Sequence, residues 1–367
     1  MLAEPQSSKG AAADMEQFIG CDAHKKFSIF SSIDEKGVYG PSVRVGHSRQ
    51  VFRSHLQELP PGSQIALETS GCYYWIVDEM EAAGHHPRLA HALTAKRRME
   101  GRHKTDALDA RGLAMLLRNG TLPEVWIPPA ELRDQRELLR WRMWLSGTRT
   151  RVKNRVHGIL QRYNVDLDFA DVFGDQGRVE MLKRAAELPP YSRKSLEQQL
   201  DLVDQLESQI AECEQSLEQM LYPSAERDLL DTLPCVGKIL AAVMTLEIGT
   251  VRRFEGPDHL ASYAGLVQAA RESAESKRPG RCPRACNVYL KWAYVEAANL
   301  ISIHRKQWAS RHVAKLYERV KKSSKMHGKA AVAVARHLAE ASYWMLSKQE
   351  VYREPQGRRP ALSSTHG

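Results

Sequence analysis

Apolar positions from residue 17 to 125 come in short runs separated by amphipathic stretches. FIGCD and KFSIFSSID read as two strands joined by a short turn, and PSVRVGH as a third. SRQVFRSHLQEL has helical spacing and stops at Pro60-Pro61-Gly62. SQIALE predicts a buried strand, YYWIVDEMEAAG a helix ended by Gly84, and HPRLAHA another strand. Thr94 to Asn119 predicts one further helix, closing at Asn119-Gly120. The pattern then changes period. Leu138, Leu145, Val152 and Ile159 recur at heptad spacing, as do Leu196, Val203, Ile210 and Leu217, with Leu206, Cys213 and Met220 at the second seam position. Between the two heptad runs lies the loop-rich NVDLDFADVFGDQG, so a coiled-coil hairpin or a dimerising arm is expected.

Three strands followed by alternating helices and strands read as a ribonuclease-H-like sheet flanked by helices. The expected class is α/β plus α: a catalytic α/β domain over 17–128, a coiled-coil arm over 129–223 and a mainly helical domain over 224–350. Residues 1–16 and 351–367 are expected to be disordered. Within the last domain, Leu233-Pro234-Cys235-Val236-Gly237-Lys238 followed by ILAAVMTLEIG resembles a helix-hairpin-helix element, whose turn can offer backbone N–H groups to a phosphate.

Charge narrows the class of partner. The chain of 367 residues carries a formal net charge of +9, concentrated in 94–104, 140–162 and 304–329. Basic stripes of this kind suit a polyanion, because each neutralised phosphate releases counterions. The first heptad helix is rich in arginine and the second in acids and glutamine. The first is therefore expected to touch nucleic acid and the second to pack or dimerise, with a salt-bridged intramolecular pair as the alternative. No apolar stretch is long enough to span a bilayer. The six cysteines are scattered, which argues against a disulfide framework and for a cytoplasmic location; Cys282 and Cys286 lack a second pair at zinc-ligand spacing.

Four carboxylates carry the candidate chemistry. Asp22 follows the first strand run and Glu68 ends IALE, while Asp106 and Asp109 in KTDALDA lie three residues apart on a predicted helix and share a face. Acids from two strand ends and one helix form an oxygen cage suited to Mg²⁺, and such a cage can hold two ions astride a scissile phosphate. Singly, each acid is an ordinary solvated residue; their joint arrangement makes the case.

In order and spacing, the strand with Asp22, the strand ending LETSG and the segment GRHKTDALDARGLA resemble the DEDD-type insertion-sequence transposases, mobile-element recombinases with a RuvC-like N-terminal domain. The later run YAGLV…S…KRPGR…ACN…YLKWAYVEAA resembles their C-terminal transposase domain, so the likeness extends from about Phe18 to Met345. The resemblance implies that Asp22, Glu68, Asp106 and Asp109 are the metal-binding acids and that Ser273 is a nucleophile forming a transient phosphoserine link to DNA, with Ser276 as second choice. Ala274 stands where the family usually has glycine, and so does Cys286. Arg271, Lys277, Arg278 and Arg281 surround Ser273 in sequence and suit a phosphate clamp; Lys104, Arg149, Arg151, Lys153 and Arg155 are further nucleic-acid candidates. The resemblance also implies a structured noncoding guide RNA as partner, and synapsis of DNA element ends and target implies a homo-oligomer, dimer or tetramer.

Two other functions fit the residues. A RuvC-like junction resolvase or nuclease would use the same acids with water as nucleophile and leave Ser273 dispensable. A non-catalytic nucleic-acid scaffold would bind equally well without Mg²⁺.

Overall fold

The computed structural model describes residues 17–99, 105–268, 270–273, 276–279, 282 and 285–355, and of 270–273 and 276–279 the backbone alone. The chain divides into two compact units, 1–130 and 131–367.

The first unit is a five-stranded mixed sheet with helices on both faces. Its elements are β1 (Gln17–Ala23), β2 (Phe27–Asp34), β3 (Val43–Gly46), α1 (Arg49–Glu58), β4 (Gln64–Glu68), α2 (Tyr73–Ala82), β5 (His86–Ala90), α3 (Ala92–Arg98) and α4 (Asp106–Arg118). The strand order is β3-β2-β1-β4-β5, antiparallel across β3, β2 and β1 and parallel across β1, β4 and β5. Alternation along each strand builds two cores. Ile19, Cys21, Ile65 and Leu67 face α1 and α2, packing on Phe52, Leu56, Ile76 and Met80. Phe18, Ala66 and Ala90 face the other way, against Ala95 of α3 and Leu113 and Leu117 of α4. The segment expected as one helix from Thr94 to Asn119 is two. Residues 100–104 between them, Lys104 included, lie outside the described residues.

One glycine sets the depth of the α4 contact. A Cβ on Gly20 of β1 would come within 1.9 Å of the Ala110 carbonyl oxygen, so only glycine lets α4 press this closely on the central strand.

The second unit is mostly helical. Two long helices, α5 (Ala130–Arg162) and α7 (Pro190–Met220), flank the shorter α6 (Asp175–Arg184). They run antiparallel, since Arg142 pairs with Glu214, Lys153 with Glu207, and Tyr163 with Ser192. The heptad leucines fill the seam: Leu145 packs with Leu206, Ile210 and Cys213, and Ile159 with Leu196 and Leu200. The charged flanks of the two helices are thus matched to each other, the intramolecular alternative noted above. Further on come α8 (Ala225–Asp231), α9 (Lys238–Ile248), α10 (Pro257–Tyr263), α11 (Val288–His304), α12 (His312–Ser324) and α13 (His327–Lys348). Their core also takes in Leu139 of α5 and Leu217 of α7.

Two features depart from the sequence-based expectation. The polar stretch before α11 contains a small antiparallel ladder, β6 (Ala270–Ser273) and β7 (Ser276–Pro279), with Ser273 opposite Ser276. Residues 351–355, expected in the disordered tail, pack on the helices: the Tyr352 N–H donates to Thr232 Oγ1, and Glu354 pairs with Arg311. Tyr352 has apolar surface to bury, which its charged neighbours in sequence conceal.

Candidate functional site

Parallel pairing of β1 with β4 brings two of the four acids to one edge of the sheet. Cys21 is level with Leu67, so Asp22 and Glu68 follow at the same strand end. Both share the parity of Phe18 and Ala66, which places them on the α4 face. Carboxyl ends of parallel strands are where open sheets gather ligands.

The other two acids arrive with α4. Thr105 caps the helix, its Oγ1 accepting from the Leu108 N–H at 3.3 Å, and Asp106 and Asp109 fall in the first turn. Carboxylates there are favoured by the unsatisfied N–H groups of the helix end. Because Gly20 lets the helix lie tight on β1, that first turn sits over the end of the strand carrying Asp22.

Asp22, Asp106 and His24 offer ligand atoms that all lie within 4.8 Å of one another, the one such group of three among the described residues. His24 Nε2 is 3.1 Å from Asp22 Oδ2 and 3.3 Å from Asp106 Oδ2. The nitrogen is shielded from solvent and lies between the two carboxylates, its interaction with Asp22 lowering the aspartate pKa. Two carboxylates and an imidazole this close together could hold a cation. Asp109 contributes through its field: burial pushes the Asp22 carboxyl up from the ordinary aspartate range, His24 opposes this, and the charges of Asp109 and Asp106 push it further up. The Glu68 carboxylate is not part of the three-residue group; strand register places it at the same sheet edge.

His24 was not among the sequence candidates. The available signal was its spacing: two residues beyond Asp22 on an extended segment puts it on the same face. The donor set suits a divalent cation. Two carboxylates and an imidazole, with a third carboxylate near enough to act electrostatically, leave more negative charge than one imidazole can balance.

In the second unit the predicted basic residues divide into two groups. Arg149 and Lys153 are turned to Glu207 of α7, at 3.8 and 2.8 Å. Arg151 donates to Thr148 Oγ1 at 2.8 Å on the exposed side of α5, and Arg155 is exposed. Arg271 and Arg278 occupy opposed register positions of the β6–β7 ladder and Lys277 is opposite Glu272; Arg281 lies outside the described residues.

The return from that ladder is anchored by a buried ionic cluster. Glu247 of α9 is wholly buried and accepts from Arg140 Nε and Nη2 at 2.9 and 3.0 Å and from Asn287 Nδ2 at 2.7 Å. Arg136 and Arg253 donate to the carbonyls of residues 246–248, which the end of α9 leaves unpaired. Asn287 also caps α11, its Oδ1 accepting from the Leu290 N–H at 2.9 Å. The chain therefore leaves α10 and re-enters at Asn287 with its return point fixed.

Comparison with known proteins agrees with this arrangement. Residues 19–165 match the family model of the DEDD transposases of IS110, described as a transposase, and residues 227–314 match the transposase IS116/IS110/IS902 family. A probable family 20 transposase of Pseudomonas aeruginosa is 24% identical over 310 residues, covering 83% of this chain and 90% of that protein. The transposase for insertion sequence element IS1111A of Coxiella burnetii is 22% identical over 338 residues, covering 92% and 91%. With both halves matched in the same order as the acid-bearing sheet and the helical unit, the chain belongs to the DEDD-type insertion-sequence transposase family.

Proposed function

We propose that this protein cuts and rejoins DNA at the ends of an insertion sequence, with Asp22, Glu68, Asp106 and Asp109 as the acids of a Mg²⁺ site on a RuvC-like sheet. The observation that carries the proposal is the meeting of Asp22, Asp106 and His24 at the sheet edge with their charge under-compensated. Asp22 and Asp106 would hold the ion, with His24 as a third donor, and Glu68 and Asp109 complete a set large enough for two. A bound divalent cation supplies neutralisation of the charge that builds on the phosphate being transferred. Ser273 is the proposed nucleophile and Ser276 the second choice. The Ser273 hydroxyl loses its proton to solvent, its oxygen bonds to phosphorus, and the bond from phosphorus to a deoxyribose oxygen breaks. That oxygen leaves as a hydroxyl, taking up a proton. The phosphoserine link keeps the bond energy for rejoining. Arg271, Lys277, Arg278 and Arg281 are positioned in sequence to neutralise the phosphate. A structured guide RNA read through backbone and shape, a dimer or tetramer on the DNA, and a cytoplasmic location complete the proposal.

The test is a denaturing-gel assay for a covalent protein–DNA adduct on end-labelled element-junction DNA with the element's RNA and Mg²⁺. Wild type is expected to give an adduct that Ser273→Ala and Asp106→Ala both lose. Cleavage without adduct that survives Ser273→Ala would establish a water-using nuclease instead. Nucleic-acid binding with no cleavage, indifferent to chelator, would establish a scaffold.

A further inference from the structure

Two tryptophans on α5 are not accounted for by packing. Trp141 and Trp144 stack on each other with ring centroids 4.9 Å apart and planes within 10° of parallel. They remain 44% and 54% exposed, although an exposed indole is costly to leave in water. One turn of helix separates them, so both rings present a face on the same side. The stripe they begin continues along α5 through Thr148, Arg151, Arg155 and Arg162. Helical geometry places these positions within a sector of about 80° and over a length of about 30 Å. The three arginines are exposed, and neither Arg155 nor Arg162 makes an ion pair among the described residues. Leu145, Val156 and Ile159, on the flank of the helix next to this stripe, pack into the α7 seam.

We infer that Trp141 and Trp144 are a stacking platform for unpaired nucleobases, with Arg151, Arg155 and Arg162 following the phosphates of the same strand. The inference rests on the proposed nucleic-acid function and adds to it the class of strand bound: single-stranded, and read without base-edge recognition. Aromatic faces accept any base, and a cationic track beside them accepts its backbone. Charge decides against a second copy of this chain as occupant. A second copy laid over this stripe would bring more arginines and no acid to it, since residues 138–162 contain no Asp or Glu and the nearest acid is Glu137, one turn before Trp141. Glu137 also limits the track at that end, so the strand runs from the indoles toward Arg162.

The experiment is fluorescence anisotropy of the full chain with short labelled strands in chelator, so that no cleavage intervenes. The probes are oligouridine, oligothymidine, an abasic single strand of equal length and a DNA duplex. For the double variant Trp141→Ala/Trp144→Ala, the affinity for base-bearing single strands is expected to fall about tenfold to a hundredfold, from the usual value of one base stacked on one aromatic. Abasic strand and duplex should bind as before, and Trp141→Phe/Trp144→Phe should restore most of the loss. A loss on oligouridine alone identifies RNA as the strand, and on oligothymidine alone DNA. Unchanged affinity for both strands overturns the inference, as does an equal loss on the abasic strand. A fall in molar mass by light scattering with affinity unchanged would assign the face to self-contact instead. The duplex control reports whether the variant is folded. Because the assay needs neither metal nor serine, failure of the adduct experiment leaves it readable, and its own failure leaves the cleavage reaction untouched.

Discussion

Two groups of charges, one in each unit, are built from the same residue types and come out oppositely. Around Glu247 one buried carboxylate meets Arg140 and Asn287 directly, while Arg136 and Arg253 take the carbonyls beside it. Every donor there has an acceptor, and the group joins α5, α9 and the cap of α11. Around Asp22 there are three aspartates and one imidazole, whose nitrogen lies 3.1 Å from Asp22 and 3.3 Å from Asp106. Burial of a charge is tolerable only when it is paired and hydrogen-bonded. The first group meets that condition from within the chain and holds the fold. The second is partly open to solvent, with Asp106 half exposed and three aspartates to one imidazole, and is the site of the proposed cation.

The comparison breaks most visibly at Glu247. Glu247→Ala leaves Arg140 facing a buried vacancy and removes the partner of Asn287. Loss of about 3–5 kcal/mol is expected, as for other buried pairs broken on one side. Calorimetry should show the transition of the second unit moving down while that of the first stays. If both stay in place, the ionic group does not hold the fold.

Glu79 offers the same logic at intermediate strength. It is buried on α2, and Arg53 of α1 donates to it through Nε and Nη2 at 2.5 and 3.0 Å, joined by Arg49. The Arg53 hydrogen bond holds its carboxyl below the usual glutamate range. A depressed folded value means the contribution is full above the ordinary glutamate range and disappears as pH falls through the folded one. Glu79→Gln is expected to cost about 1–2 kcal/mol at neutral pH, with the exposed arginines keeping it modest. The difference from wild type should close in acid, as measured by denaturant unfolding across pH.

How far the sequence alone reached follows the same division. Strand alternation in FIGCD and IALE, helix periods and heptad leucines were legible because they record burial, which is periodic. Asp22, Asp106 and Asp109 were legible because their motifs follow or open such elements. His24 is marked only by its spacing of two from Asp22, a weak signal because a lone histidine just past a strand end is ordinarily a solvated turn residue. The Glu247 group was equally hidden: Glu247 sits in an apolar helix run, and the Asn287 and Arg140 that meet its carboxylate are 40 and 107 residues distant. The acidic character of α7 was visible, but that Glu207 and Glu214 would take up Lys153 and Arg142 depends on the antiparallel register, which only the packed pair defines.

Asp22 should respond in the opposite sense to Glu247. Its carboxyl is raised by burial and by Asp109 and Asp106. The folded chain therefore holds a proton that the unfolded chain gives up, and stability without metal falls as pH rises from the ordinary aspartate range through the raised one. Asp22→Asn removes that fall and is expected to stabilise the chelated protein at neutral pH by about 1 kcal/mol, the size of one like-charge contact at about 4 Å screened as in water. Added Mg²⁺ should raise the melting temperature of wild type and not of the variant. His24→Ala should weaken Mn²⁺ binding by about tenfold to a hundredfold in titration calorimetry, as loss of an orienting or ligating imidazole does at other sites. Destabilisation by Asp22→Asn in chelator would mean that the aspartate is already satisfied and the metal reading is wrong.

The smallest effect concerns the cations, where the same distinction separates Lys153 from Arg155. Lys153 is held by Glu207 at 2.8 Å, whereas Arg155 points to solvent one half-turn away. An ion pair at a partly exposed seam contributes little, so Lys153→Ala should cost no more than about 1 kcal/mol. Its charge is already countered, so the salt dependence of nucleic-acid binding should barely move. Arg155→Ala should leave stability unchanged and lower the slope of log affinity against log salt by about one unit, the loss of one phosphate contact. The paired and the unpaired cation thus exchange roles between two assays. If Lys153→Ala lowers the slope as much as Arg155→Ala, Glu207 releases the lysine when nucleic acid binds. Matched charge in the folded chain would then mark a switch rather than a strut.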